Sequence, residues 1–138
     1  MKNREIKFRA IIEGTNDFAY GDLIHGVGFK KDKVYILPNV VNLATLPNCH
    51  YLDGYTVKPE TLGQFIRKHD KNDKEIYEGD IVIKTNYGKK IRKDTGVVKY
   101  YENGACFLFY NVCYTNLTAD NIELEVIGNI YENPDLLT

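Results

Sequence analysis

The sequence predicts a mainly β protein whose C-terminal half is a small barrel, and three observations lead there. Apolar residues recur with a period of two near both ends, at Ile6, Phe8, Ala10 and Ile12 and again at Ile122, Leu124 and Val126, which puts each set on one face of a strand. The stretch Lys71-Asn-Asp-Lys-Glu-Ile-Tyr-Glu-Gly-Asp-Ile-Val82 runs from a polar turn through a Gly79-Asp80 kink into a β-branched run. Asn103-Gly104 sits between two apolar runs, and this dipeptide favours a type I′ hairpin turn because both residues accept positive φ. No long stretch carries a helical period.

Taken in order, Ile6 to Ile12 alternates with Lys7 and Arg9 as a first strand, and Glu13-Gly-Thr-Asn-Asp17 is turn chemistry. Phe18 to Ile24 and Val34 to Leu37 read as short strands, separated by the polar Lys30-Lys-Asp-Lys33 and expected to be hairpin-linked. From Pro38 to Tyr55, prolines, asparagines and Gly54 interrupt an apolar background, so a covering loop with a short strand or helical turn is expected. These pieces make up an N-terminal β-rich portion, residues 1–57, and residues 58–138 form the barrel portion packed with it.

In that second portion, Pro59 to Ile66 leads into the polar turn, and Ile81 to Lys84 opens a second run of strands. The basic stretch Lys84, Tyr87, Lys89, Lys90, Arg92 and Lys93 is expected as a long loop between the first two barrel strands. With Asn103 and Gly104 as the turn, Tyr100 faces Phe107 and Val98 faces Phe109, an apolar set that reads as core. The opposite side carries Val97, Lys99, Tyr101, Cys106, Leu108 and Tyr110. That is too apolar for a face left in water, so the N-terminal portion or another subunit is expected to cover it. The last strand ends at Gly128-Asn129, and Asn133-Pro134 offers a cap for a short turn through Leu137.

At 138 residues the chain suits one compact unit. With 43% hydrophobic and 27% charged residues it lies in the ordinary globular range and away from disorder. A net charge of -1 argues against coating nucleic acid through overall positive charge, while leaving local patches open. The start lacks the apolar run of a signal peptide, and nowhere do roughly 18 consecutive apolar residues occur, so a cytoplasmic protein with no membrane partner is expected. Cys49, Cys106 and Cys113 form an odd set without paired spacing, which suits a reducing compartment.

Asp70, Asn72 and Lys74 start like a calcium loop, but Glu75 stands where glycine is needed and Ile81 where the last carboxylate is needed. Glu75, Glu78 and Asp80 read as acids serving a turn. His25, His50 and His69 with the three cysteines lack zinc-ligand spacing. No cysteine lies in a nucleophile motif, and the chain contains no serine. The expectation is therefore a non-enzymatic protein without metal or cofactor. Lys84, Tyr87, Lys89, Lys90, Arg92 and Lys93 form a candidate site for nucleic acid or another partner, through cation–phosphate attraction and stacking on Tyr87. A solvated loop is the competing and weightier reading. Tyrosine is abundant, at 11 residues. Val97, Tyr101, Leu108 and Tyr110 form a candidate self-association face, with ordinary cross-strand packing as the alternative.

Three segments in order carry a family resemblance: Arg4-Glu-Ile-Lys-Phe-Arg-Ala10, then Thr61-Leu-Gly-Gln-Phe65 through Asp70 to Val82, then Glu125-Val-Ile-Gly-Asn-Ile-Tyr-Glu-Asn-Pro134. Together they resemble the YopX family of phage and prophage proteins over nearly the whole chain. The resemblance implies an SH3-like barrel in the C-terminal half, a phage or prophage origin and an accessory role of uncharacterised biochemistry. It brings no catalytic residues. The function expected is binding of another macromolecule, with self-association as one form of it and nucleic-acid binding through residues 84–93 as the alternative.

Overall fold

The alternation at Phe8 and Ala10 does form a strand, and the computed structural model describes residues 3–26, 32–38 and 54–138 around it. Most of the covering loop expected between Pro38 and Tyr55 lies outside the described residues, as do Lys30, Lys31, Cys49 and His50. The chain is mainly β, and among the described residues every ladder is antiparallel and the only helical pieces are short 3-10 turns. None is long and apolar enough to cross a membrane. Two compact units are distinguished, Met1–Gln64 and Phe65–Thr138.

In the first unit, β1 (Phe8–Ile11), β2 (Phe18–His25), β3 (Val34–Pro38) and β4 (Tyr55–Val57) lie side by side in the order β4-β3-β2-β1. The free edge of β1 takes up Gly63 and Gln64, the start of β5 (Gly63–His69). Ala10, Ala19, Ile36 and Val57 form the core, with Phe8, Ile12, Leu23, Val34 and Leu62 packed around it, as the period of two requires. On the other face of β1, Arg9 is buried beside Ile11. Its guanidinium lies 4.6 Å from the centroid of Phe18 on the neighbouring strand, a cation–π contact that suits a partly desolvated arginine. Thr61 closes the unit, since its hydroxyl accepts the Ile11 N–H at 2.9 Å and donates to the Lys58 carbonyl at 2.7 Å.

In the second unit, β7 (Asp80–Tyr87), β8 (Ile91–Tyr101), β9 (Cys106–Tyr110), β10 (Tyr114–Thr115) and β11 (Ile122–Asn129) form one sheet in the order β10-β9-β8-β7-β11. This sheet is open, with β10 and β11 as its edges, and no ladder closes it into the expected barrel. One face carries Val82, Val98, Phe109 and Leu124, on which Ile76, Ile66 and Leu117 pack. Ile76 and Ile66 come from the hairpin of β5 and β6 (Glu75–Tyr77), which thus lies over that face as a second layer.

The polar turn joining β5 to β6 is organised by Asp70, whose oxygens accept the N–H groups of Asn72 (2.8 Å), Lys74 (3.0 Å) and Val126 (2.9 Å). The Lys71 N–H adds a bond to the Leu124 carbonyl. A carboxylate at the start of a turn thereby ties the hairpin to β11, which is how Asx turns commonly spend their lone pairs. The kink follows at once. Gly79 has φ of 90°, a region costly for side chains, and its N–H donates to the Val98 carbonyl while buried Asp80 accepts the Tyr77 N–H at 2.8 Å.

The hairpin at Asn103-Gly104 has the expected register, Tyr100 opposite Phe107 and Val98 opposite Phe109, but a different turn. Glu102–Gly104 makes a 3-10 turn and Ala105 takes the left-handed conformation, so the loop has four residues and Asn103-Gly104 is not a type I′ pair. Tyr100, expected in the core, is largely exposed near the tip. At the C-terminus Pro134–Leu137 is a 3-10 turn whose Asn133 provides no side-chain cap; the Asn133 oxygen instead accepts the Asn129 N–H.

Candidate functional site, a polar cleft at the end of the second sheet

Strand register explains how the site arises. On the core face of the sheet, Val82, Lys84 and Asn86 succeed one another along β7, opposite Gly96, Asp94 and Arg92 of β8. With a period of two, the same face that begins as apolar core therefore ends as a row of charges and amides. Past β9, Asn111 and Val112 lead into β10, whose Thr115 pairs with Phe109. The chain then folds Leu117 into the core and returns to β11. Between the β7–β8 ends and residues 111–119 lies a cleft of about 470 Å³, with Lys84, Asp94, Phe109 and Thr115 in its lining.

Lys84 is the central group. It is only 8% exposed, its ammonium donates to the Thr115 hydroxyl, and it lies 4.4 Å from the centroid of Phe109. Burial pushes its pKa below the ordinary lysine value; Asp94 and Cys113 pull it back up, and Arg92 adds to the lowering. Asp94 is its cross-strand partner, but Arg92 occupies that carboxylate, with Nε 2.9 Å and 3.1 Å from its two oxygens. Asn86 is likewise held, its oxygen accepting from the Asn121 amide at 2.8 Å. Phe109, which supports Lys84, lies against Gly96, where a Cβ would stand 2.6 Å from the ring.

A buried ammonium without its own carboxylate detracts from stability. Lys84→Met is accordingly expected to raise stability at neutral pH by about 1 kcal/mol, read from the urea midpoint. The sign of the pH dependence follows from the direction of the shift. With the folded pKa below the unfolded value of 10.5, the unfolded chain holds more protons just below 10.5, so stability rises with pH there. The advantage of the methionine variant is thus expected to shrink as pH climbs toward 10.5.

The basic stretch expected as a long loop is instead two strands joined by Gly88, Lys89 and Lys90. The ladder scatters its six candidate residues. Lys84 and Arg92 share the cleft face, while Tyr87 and Lys93 fall on the other face by strand parity, and Lys89 and Lys90 are exposed at the tip. The Tyr87 hydroxyl donates to Glu123 at 3.2 Å. Of the face proposed for self-association, Val97 is buried, while Tyr101, Leu108 and Tyr110 are half-buried. The Tyr114 ring packs 4.8 Å from both Tyr101 and Tyr110, and Lys99 lies 4.3 Å from the Tyr110 centroid. Part of that face is therefore covered by the unit's own side chains.

Asn86, Asp94, Asn111, Thr115 and Asn116 of the cleft carry no motif. Only correct pairing of 84 with 94 and of 109 with 115 brings them together, and the lone advance signal is Lys84 in phase with Val82. Among the acids of the polar turn, Asp70 serves backbone donors as above, and Glu75 accepts the Tyr77 hydroxyl at 2.8 Å.

No curated protein matches the chain. A family model does, the one described as YopX protein, over residues 7–138. That span takes in both units, including the Asp70 turn, the Gly79 kink and every strand that builds the cleft, so the chain belongs to the YopX family.

Proposed function

We propose that this protein acts by binding a segment of another macromolecule, without catalysis, and that the cleft of the second unit is where it binds. The observation carrying this reading is that the cleft's polar groups are already fixed by one another: Arg92 by Asp94, Lys84 by Thr115, Asn86 by Asn121. Donors held in place in advance lose little freedom when a ligand arrives, which favours recognition. The same pairing speaks against general-base chemistry, because Arg92 already occupies both oxygens of the Asp94 carboxylate. The family resemblance extends the reading to an SH3-like module of a phage or prophage accessory protein working in a bacterial cytoplasm. Small β modules of that kind commonly present partner sites on loops at one end of the sheet.

Self-association is a second reading, favoured by the half-exposed tyrosine surface of Tyr101, Tyr110 and Tyr114. Nucleic-acid binding is a third reading, with Lys89 and Lys90 exposed at the tip and Arg92 and Lys93 exposed beside it. A random peptide library panned against the purified protein discriminates among these. Ligands are expected whose affinity falls at least about tenfold when Ala119→Arg fills the cleft. An empty selection, or ligands indifferent to that change, overturns the reading. Concentration-dependent dimerisation weakened by Tyr114→Lys would favour the tyrosine surface, and salt-sensitive DNA capture lost with Lys89→Ala and Lys90→Ala would favour the tip.

A further inference from the structure

We infer that the cleft receives a carboxylate, the side chain of an aspartate or glutamate carried by an extended protein segment, with Lys84 as its counter-ion. This deepens the binding reading above and rests on it. Lys84 is nine-tenths buried, yet its contacts are a neutral hydroxyl and an aromatic face. An ammonium has three donors, and desolvated cations gain most from an anion placed beside them. The cross-strand carboxylate that would have filled this role, Asp94, is turned to Arg92. The cleft therefore holds a cation that no carboxylate contacts directly, in a lining that also carries the amides of Asn111 and Asn116.

Size and charge favour a carboxylate over a phosphate. Two cations and one carboxylate line the cleft, Lys84, Arg92 and Asp94, an excess of a single positive charge that suits a monoanion. A phosphate carries close to two charges at neutral pH and would face Asp94 across the same space. Lys84 is also only 8% exposed, so a slender side chain reaches it more readily than the backbone of a nucleic acid. The apolar groups beside it, Phe109, Val112 and Ile122, suit the methylenes of an acidic side chain and a hydrophobic neighbour in the segment.

The experiment follows backbone amide shifts of the full chain during titration, at constant ionic strength, with three probes: N-acetylglutamate methylamide, its glutamine analogue and inorganic phosphate. The glutamate probe is expected to move the amides of β7, β8 and residues 111–119, and to bind at least about tenfold more tightly than the glutamine probe. Lys84→Met is expected to abolish that preference. Asp94→Asn is expected to strengthen glutamate binding by roughly threefold, because it removes the competing anion and releases Arg92; a gain of this kind cannot arise from misfolding. Equal binding of glutamate and glutamine probes, tighter binding of phosphate, or no shift in the cleft overturns the carboxylate assignment. The peptide selection still stands if its ligands carry no acidic residue, so failure here and failure of the binding reading are told apart.

Discussion

Gly96→Ala is expected to destabilise the second unit by about 3 kcal/mol, read from urea unfolding, although it adds only one methyl group. A Cβ at this position would stand 2.5 Å from the Tyr110 carbonyl oxygen and 2.6 Å from the Phe109 ring. Both belong to β9, and the Phe109 ring is buried, so relief requires the β8–β9 ladder to spread or Phe109 to leave the core. Spreading the ladder lengthens hydrogen bonds on either side of Val98. Moving Phe109 removes the surface on which Lys84 rests. Phe109→Leu in the Gly96→Ala background is expected to recover part of the loss, since it relieves the ring contact while leaving the carbonyl contact in place. A coupling energy indistinguishable from zero in that double-mutant cycle would show that the ring is not what glycine accommodates.

Asp70→Asn is expected to remove about 2 kcal/mol and to flatten the acid limb of the stability profile. Burial by itself raises the Asp70 pKa, but the N–H groups of Val126, Lys74 and Asn72, with the Lys74 charge, outweigh it and hold the carboxyl below its ordinary 3.8. Because the folded value lies below the unfolded one, the stabilisation is present in full above 3.8 and fades as pH falls below it. Asparagine keeps one acceptor and turns an amide donor toward a backbone N–H, so at least one of the three bonds is lost at every pH. Thermal unfolding of the two proteins between pH 7 and pH 2 checks both parts. A variant that tracks the parent at a fixed offset through the acid range would show that Asp70 does not carry this titration.

What could be read from the chain depended on whether a signal was local. Alternation at Ile122, Leu124 and Val126, the Gly79-Asp80 kink and the pairing register at Val98 and Phe109 are each decided by neighbours in sequence, and all three are present. Asn103-Gly104 marked a real hairpin but not its turn, because Ala105 adopts the left-handed conformation expected of glycine. The basic stretch was misread as loop because lysine, threonine and asparagine interrupt the apolar pattern after Ile83. Ladder hydrogen bonds belong to the backbone, however, and β7 and β8 continue through polar residues to Tyr87 and Ile91. The cleft was invisible for a different reason. Its two walls are separated in sequence by the rest of β8 and the whole of β9, and they meet only once four strands are correctly paired.

The stretch from Asn111 to Asn121 is pinned by a ladder only two residues long at Tyr114 and Thr115, by the buried side chain of Leu117 and, at its end, by the Asn121 bond to Asn86. Asn111, Val112 and Ala119 stand outward between and beside those pins. On the binding function proposed above, ligand preference could be rewritten at these positions while the scaffold beneath keeps its strength, a division that makes this wall a natural place to retarget the molecule.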